Sequence, residues 1–340
     1  MNRAFIIFER IAVQDANCIA GFTYGFPAIT HFLGFGHALS RKLYQNHQLE
    51  LQGCAVVCHH HQIHAYQPKK YTDYVFAQSK NPPQFKKDAE KTPPIVEEGK
   101  MNMSVSLIME CPNFTISRQN EINELKLQLE SLTLQHRLAG GSIHSIESIQ
   151  ILTEKVDPEG QRKQLRQIKR WLLPGFVLMD RSDLLAEHYQ SLKQQTLEVE
   201  LIDAWLDFSA LKYQAKPLLK ENELEPTEQQ TKAEWVLLEK PSKGYLVPIT
   251  NGYKAISPAY PPGEVADTRN PNFPFCFVEA VHSIGEWRSL HRIQNISEIL
   301  WRYDYEQDWY LCKQGTSITV NPVESTTDYV DEDWEDDFLK

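Results

Sequence analysis

The chain has 340 residues, 41% of them hydrophobic and 24% charged, a balance that argues against a fibrous or wholly disordered protein and allows one large domain or two modest ones. Its 45 acidic side chains outnumber the 35 basic ones, for a formal charge of −10, which argues against a protein that coats itself in nucleic acid.

Phe5 to Phe8 reads as a buried strand. From Thr30 a helix is expected, because Phe32, Leu33, Phe35, Leu39 and Leu43 recur on one face and Arg41 and Lys42 suit its C-terminal end. Gly34 and Gly36 hint at close packing of that helix on a sheet. CAVVC (54–58) predicts a strand that leaves the core through HHHQIHAY. Residues 67–100 are rich in Pro and Lys and read as an exposed insertion. In Met101 to Cys111 the alternation of Met101, Met103, Val105, Leu107 and Met109 predicts a strand with one core face. Asn120 is a candidate cap for the helix carrying Ile122, Leu125, Leu129 and Leu132, with Gly140 and Gly141 placed where a helix would end. SIHSIESIQIL follows as a strand.

The resulting order is the βαββαβ arrangement of ferredoxin-like and RNA-recognition folds, in which the sheet face or its surrounding loops often carry single-stranded RNA. The fold class expected is α+β, with a core over 1–182, a helical insertion and linker over 183–232, a β-rich part over 233–320 and an acidic, disordered tail over 321–340. Helix is expected from Asp183 to about Tyr213 and a flexible connector over 216–232. No internal repeat is present.

No window reaches the roughly eighteen apolar residues of a membrane helix, and Ala4 to Phe8 is too short for a signal peptide, so a soluble cytoplasmic protein is expected. Cys18, Cys54, Cys58, Cys111, Cys276 and Cys312 form no CxxC pair and read as reduced, buried thiols.

Arg162, Lys163, Arg166, Lys169 and Arg170 are five cations in nine residues. On a helix, Arg162, Arg166 and Lys169 or Arg170 share a face suited to a phosphate backbone, or to solvent. RLAGGS (137–142) joins Arg137 and Ser142 to a glycine pair that exposes backbone N–H groups, although a helix end followed by a strand has the same letters. GEWRSLHRI (285–293) puts Trp287, Arg288, His291 and Arg292 close together, for stacking and phosphate contacts or for core packing. His59, His60, His61 and His64 are the best case for acid-base or metal chemistry, since on a strand His59 and His61 point the same way. GxSxG, Walker A, GxGxxG and HExxH motifs are absent, and neither cofactor nor metal is expected.

Seven ordered blocks give the chain a wider likeness. They are VQDANCIAGFTYGFPAITHFLGFGHALSRKL after the first strand, IVEEGK, RLAGGSI, RWLLPGF, GYLVPITNGYKAISPAYPPGEV, FVEAVHSIGEWRSLHRI and the ILW near the C-terminus. Together they resemble the Cas5-like RAMP-superfamily subunit of type I-F CRISPR-Cas surveillance (Csy) complexes. The resemblance implies a ferredoxin-like core with a thumb over 67–100 and a non-catalytic role in antiviral defence. It implies binding of the crRNA 5′ handle with the large (Cas8-like) subunit, contact with an adjacent Cas7-like backbone subunit, and help in engaging target DNA. The matching positions for RNA contact are Asn17, Thr23, Phe26, Arg137, Gly140, Gly141, Ser142, Arg166, Arg170, Arg288, His291 and Arg292. Phe26 reads equally as a packed corner. The rival readings are an endoribonuclease of the same superfamily using His59, His61 or His64, and an interaction module without RNA. Residues 321–340 depart from the likeness: eight acids and one Lys give them a net of −7, leaving −3 for residues 1–320. Such a tail would mimic nucleic acid and limit non-specific binding.

Overall fold

A mixed α/β architecture with a large antiparallel sheet and five helices is built over residues 2–80, 95–218 and 232–315, the part of the chain that the computed structural model describes. The N-terminal half runs β1 (Asn2–Asn17), β2 (Ile19–Ala20), β3 (Thr23–Tyr24), α1 (Ile29–His47), β4 (Cys54–Ile63), β5 (Ala65–Tyr66), β6 (Val75–Lys80), β7 (Ile95–Glu98) and β8 (Lys100–Phe114). Then come α2 (Gln119–Gln135), β9 (Arg137–Leu138), β10 (Gly141–Ser145), β11 (Ser148–Thr153), α3 (Pro158–Leu172) and β12 (Phe176–Asp180). The remainder is α4 (Ser182–Gln195), α5 (Leu201–Ser209), β13 (Tyr213–Pro217), β14 (Ala233–Leu237), β15 (Leu246–Ala255), β16 (Val278–Ser289), β17 (Trp301–Glu306) and β18 (Trp309–Gln314). Two short 3-10 turns, Leu290–Arg292 and Ser297–Ile299, lie between β16 and β17.

At the centre of the sheet β11, β1, β8 and β4 lie side by side, all antiparallel, and α1 and α2 connect β1 to β4 and β8 to β11. Alternation decides the two faces. Phe8, Val56, Met103, Val105 and Leu107 enter a core against Phe32, Leu39, Leu125 and Leu129 of α1 and α2. Phe5, Ile7, Ala55, Val57 and Ile108 meet Ile168 and Leu172 of α3 and Leu290, Ile293 and Ile299 of the 3-10 segment. The sheet face that RNA-recognition folds leave open is therefore covered along its lower half.

The C-terminal strands close on themselves. β12 pairs with both β4 and β16, β16 with β15, β15 with β18, β18 with β17, and β17 returns to β4 at Trp301 opposite Cys54. Trp301 is fully buried inside this ring, and its indole N–H donates to the Leu178 carbonyl at 3.1 Å. On the far side Leu185, Ala204 and Phe208 of α4 and α5 pack on Leu246 and Ile284.

Several local expectations change. The first strand extends well beyond Phe5–Phe8, because bulges between Phe8 and Ile11 and between Val13 and Ala16 carry it past charged Glu9, Arg10 and Asp15. Asn120 is not a cap; Arg118 occupies that position, and α2 ends at Gln135, ahead of the glycine pair. A Cβ on Gly36 would lie 3.4 Å from the Met109 side chain, the close packing expected, whereas one on Gly34 would meet open space. The helix expected from Asp183 to about Tyr213 is broken at Thr196–Glu200, where Glu200 and Asp203 form a capping box that starts α5. Beyond it, the chain on either side of the expected connector pairs as an antiparallel ribbon, β13 with β14.

The segment expected as a thumb is, where described, the ribbon β5–β6–β7; Lys86, Lys87 and Lys91 lie outside the described residues. So does the run 321–340 expected as a disordered tail. Among the described residues no helix is long and apolar enough to cross a membrane. The six cysteines are unpaired and all but Cys276 are buried, and burial pushes the thiols of Cys58 and Cys312 up to about 12.

Candidate nucleic-acid interface

α3 begins with the Asp157 carboxylate accepting the Gly160 N–H at 2.6 Å, with Pro158 in its first turn. Gln164, Ile168 and Leu172 are its buried stripe. The opposite stripe, Arg162, Arg166 and Arg170, is exposed. Lys169 lies between the stripes, and its ammonium donates to the carbonyls of His291 at 2.9 Å and Ile293 at 2.5 Å. That clamp seats the 3-10 turn beside the helix, so exposed His291 and Arg292 join Arg166 and Arg170. Two clusters more than a hundred residues apart in sequence thus make one surface. Lys163 pairs with Glu159 at 2.7 Å; among the described residues no ion pair engages Arg162, Arg166, Arg170 or Arg292.

Arg288 is elsewhere. On β16 it donates to Glu286 at 2.7 Å, which also takes Arg181 at 2.6 Å. Burial disfavours the Glu286 charge, but these hydrogen bonds outweigh it and hold its pKa below the usual carboxylate range. The Arg288 charge is therefore already compensated.

Asn17, Arg137, Gly140, Gly141 and Ser142 meet at the far end of β1. Leu138 and Gly141 flank a two-residue turn in which Ala139 and Gly140 have φ of 52° and 77°, the geometry of a type I′ hairpin rather than of a helix end. A Cβ on Gly141 would come within 2.6 Å of the Gln14 carbonyl oxygen, so only glycine lets the hairpin lie this close to β1. The Asn17 amide is occupied: Nδ2 donates to the Ile19 carbonyl at 2.9 Å and Oδ1 accepts the Ile19 N–H at 3.0 Å. Ser142 stays exposed opposite Gln14, and the exposed Arg137 guanidinium reaches only the Gly140 carbonyl, at 3.4 Å.

Between these two groups runs a polar strip that the sequence reading missed. Past the end of α3, the face that carries Phe5 and Val57 continues as Gln14, His60, Gln62, Asn102, Ser104 and Ser142, none of them buried. The signal was present in β8, where Asn102, Ser104 and Ser106 alternate with the core residues Met103 and Val105.

The histidines do not converge. A bulge between Cys58 and His60 breaks the alternation, so His61 pairs with Met103 on the face of α1 while the His59 ring is on the other. His59 Nδ1–H donates to the Pro174 carbonyl and Nε2 accepts from the Ser106 hydroxyl, each at 2.7 Å. His64 sits 3.4 Å from Asp15. The expectation that His59 and His61 point the same way is corrected by that extra residue. Among the described residues no three His, Cys, Asp or Glu side chains group as a metal site.

Thr23 and Phe26 belong to the loop after β1. Thr23 donates to the Ala20 carbonyl at 2.9 Å. Phe26 stacks on Phe32 with centroids 5.6 Å apart and meets Trp287 edge-on at 4.8 Å, a packed corner. His282 latches the loop to β16: Nε2 accepts the Phe22 N–H at 3.2 Å and the two rings stack at 5.0 Å.

Burial pushes the imidazole pKa of His282 down, opposed by the Ala280 carbonyl and Glu279. It does the same to His59, helped by Arg10 and opposed by the Pro174 carbonyl, Glu147 and Glu9; His31 and His37 are shifted the same way by burial. Each of these groups binds a proton more readily in the unfolded chain, so stability is fully present above about pH 6.5 and falls as pH drops below it. Asp180, pushed up by burial, works the other way. Urea midpoints measured between pH 7.5 and 5 should decrease, and His282→Gln should flatten the profile; a profile as steep in that variant would remove His282 from this account.

A family model described as CRISPR-associated protein (Cas_Csy2) matches residues 6–312, which puts the chain among the CRISPR-associated proteins. The CRISPR-associated protein Csy2 of Pseudomonas aeruginosa (strain UCBPP-PA14) is 34% identical over 321 residues, covering 92% of this chain and 95% of the relative. The chain belongs to the Csy2 family.

Proposed function

We propose that this chain is a non-catalytic, RNA-binding subunit of a type I-F CRISPR surveillance complex in the cytoplasm, where it holds the crRNA 5′ handle. In this reading it works with the large Cas8-like subunit, contacts an adjacent Cas7-like backbone subunit and supports recognition of target DNA. Membership of the Csy2 family supports the place in the complex. The observation that carries the RNA role is the unpaired cation surface of Arg162, Arg166, Arg170 and Arg292, assembled by the Lys169 clamp. The polar strip of the sheet, rich in amide and hydroxyl groups, suits base edges and 2′-hydroxyls. The order β11-β1-β8-β4, with α1 and α2 as crossovers, supports a ferredoxin-like, Cas5-like RAMP core.

A non-catalytic role is supported by the scatter of His59, His61 and His64, since acid-base cleavage needs two groups within reach of one phosphodiester. The test is to isolate the native complex and sequence the RNA that co-purifies. A guide carrying one constant 5′ segment, retained by this chain together with the large subunit, is the expected result. Absence of RNA from the complex would overturn the reading, and cleavage of a repeat RNA that vanishes in His59→Ala or His61→Ala would replace it by the endoribonuclease.

A further inference from the structure

One surface and one segment of this chain carry unbalanced charge of opposite sign. Arg162, Arg166, Arg170 and Arg292 are exposed and, among the described residues, joined by no ion pair; the same holds for Lys155, just ahead of α3. Arg162, Arg166 and Arg170 follow one another at i, i+4, a spacing at which like charges destabilise a helix. An anionic occupant relieves that repulsion. Opposite in sign, residues 331–337 hold six carboxylates in seven positions: Asp331, Glu332, Asp333, Glu335, Asp336 and Asp337. They lie outside the described residues and beyond residues 6–312, which the family model matches.

Gly315, the last described residue, leaves the fold beside that surface. Its carbonyl accepts from Arg302 at 3.5 Å. Arg302 pairs with Glu110 at 2.7 Å, Glu110 with Arg3 at 2.5 Å, and Arg3 with Glu154 at 3.0 Å. Glu154 precedes Asp157, the cap of α3, by three residues. These pairs compensate Arg302 and Arg3, so the first unpaired cations along this line are Lys155 and then Arg162. The neighbouring Gln314 amide donates to the Ile299 carbonyl at 2.9 Å, and Ile299 shares a core with Ile168 on the buried stripe of α3. One helix width, about 10–12 Å, separates that stripe from the arginines. The sixteen residues from Gly315 to Asp331 reach about 50 Å extended and about 20 Å as a coil, and either length crosses one helix. The arginine stripe from Arg162 to Arg170 runs about 12 Å along the axis. Seven extended residues span about 23 Å, enough to follow the stripe and reach Arg292.

We propose that residues 331–337 fold back onto this cation surface, their carboxylates taking the guanidinium groups of Arg162, Arg166, Arg170 and Arg292. Bound RNA then has to displace them, and only that competition rests on the RNA-binding reading above. A second copy of the chain offers the same carboxylates, but the tether holds the chain's own segment at about millimolar effective concentration, far above that of another copy in dilute solution.

The experiment uses the full-length chain. A carbodiimide, which joins carboxylates to amines in direct contact, should link residues 331–337 to Lys155 or Lys163, with a yield that does not change on dilution. In Arg166→Ala/Arg170→Ala that yield should fall about fivefold, the effect of two lost exposed ion pairs. Replacing the six acids together by Asn and Gln should raise affinity for a labelled oligouridylate about fivefold at 0.05 M salt and about twofold at 0.15 M. In the Arg166→Ala/Arg170→Ala background the gain at 0.05 M should shrink to about twofold. The arginines are exposed and the acids lie outside the described residues, and an unchanged circular dichroism spectrum verifies the fold. An equal gain in both backgrounds, or crosslinks indifferent to the arginines, means that the acids act through net charge alone and overturns the docked segment. A crosslink yield that rises with protein concentration assigns the segment to a second copy and overturns it too. Arginine-dependent crosslinks in a chain that binds no RNA keep the docked segment and overturn the RNA-binding reading instead.

Discussion

Replacing Arg166 and Arg170 together by Ala should weaken single-stranded RNA binding by about tenfold at 0.15 M salt and lower the slope of log K against log[salt] by about 1.4. The slope follows from two phosphate contacts, each releasing about 0.7 counterion from a single strand, and the affinity loss is that slope evaluated at the working salt. The fold should not change. Both side chains are exposed, the buried stripe of Gln164, Ile168 and Leu172 is untouched, and Ala favours helix. Arg288→Ala is the internal control: its charge already faces Glu286, so it should leave the salt slope alone. If the double variant keeps both affinity and slope, this helix face is solvated or meets protein. The formal charge of −10 does not oppose the prediction, because screening at 0.15 M acts over about 8 Å and local cations dominate at contact.

Periodicity made the central elements legible. Met101, Met103, Val105, Leu107 and Met109 all enter one core, and Phe32, Leu39 and Leu43 line α1 as their spacing requires. What periodicity could not give was register. One extra residue near His59 moves His61 to the opposite face, and a run of four histidines has no apolar rhythm that would reveal a bulge. The closed ring of C-terminal strands was equally hidden: β12 and β17 both reach β4, and such long-range pairings leave no trace in local composition. Gly140 was ambiguous for a related reason, since a helix end and a type I′ turn both demand positive φ.

For the candidate site, sequence reached the residues but not their grouping. Arg166 and Arg170 were visible as a charge run, and His291 and Arg292 as a mixed aromatic and basic motif. Only the fold brings them together, through Lys169, a residue whose own charge read as one more free cation. Asn17 and Arg288 read as ligands because their side chains have the right chemistry; their intramolecular partners at Ile19 and Glu286 are matters of tertiary geometry.

Trp301→Ala should remove about 4 kcal/mol of stability, the cost of deleting a large, fully buried aromatic whose cavity the surroundings cannot refill. Trp301 packs with Leu178, Ile249 and Cys312, and it is the residue at which β17 pairs with β4. Its loss therefore empties the ring of strands at the point where the ring closes. The hydrogen bond adds less than the volume, because the Leu178 carbonyl also accepts from the Gln314 amide at 3.0 Å and is not left bare. Trp301→Phe, which keeps most of the apolar volume and gives up the indole N–H, should accordingly cost only about 1 to 2 kcal/mol. Against a total stability of roughly 5 to 15 kcal/mol, the alanine variant should show a large fall in the urea midpoint, followed by near-ultraviolet circular dichroism. A loss under about 1 kcal/mol would mean that the ring does not depend on Trp301 for closure. The consequence reaches the RNA surface, since the turn bearing His291 and Arg292 is the connection from β16 into β17. With the ring loosened, the turn keeps the Lys169 clamp, the Leu290 N–H to Gly175 carbonyl bond and its packing on α3 but loses a fixed strand after it, and RNA affinity in Trp301→Ala should fall even under conditions where the variant remains folded.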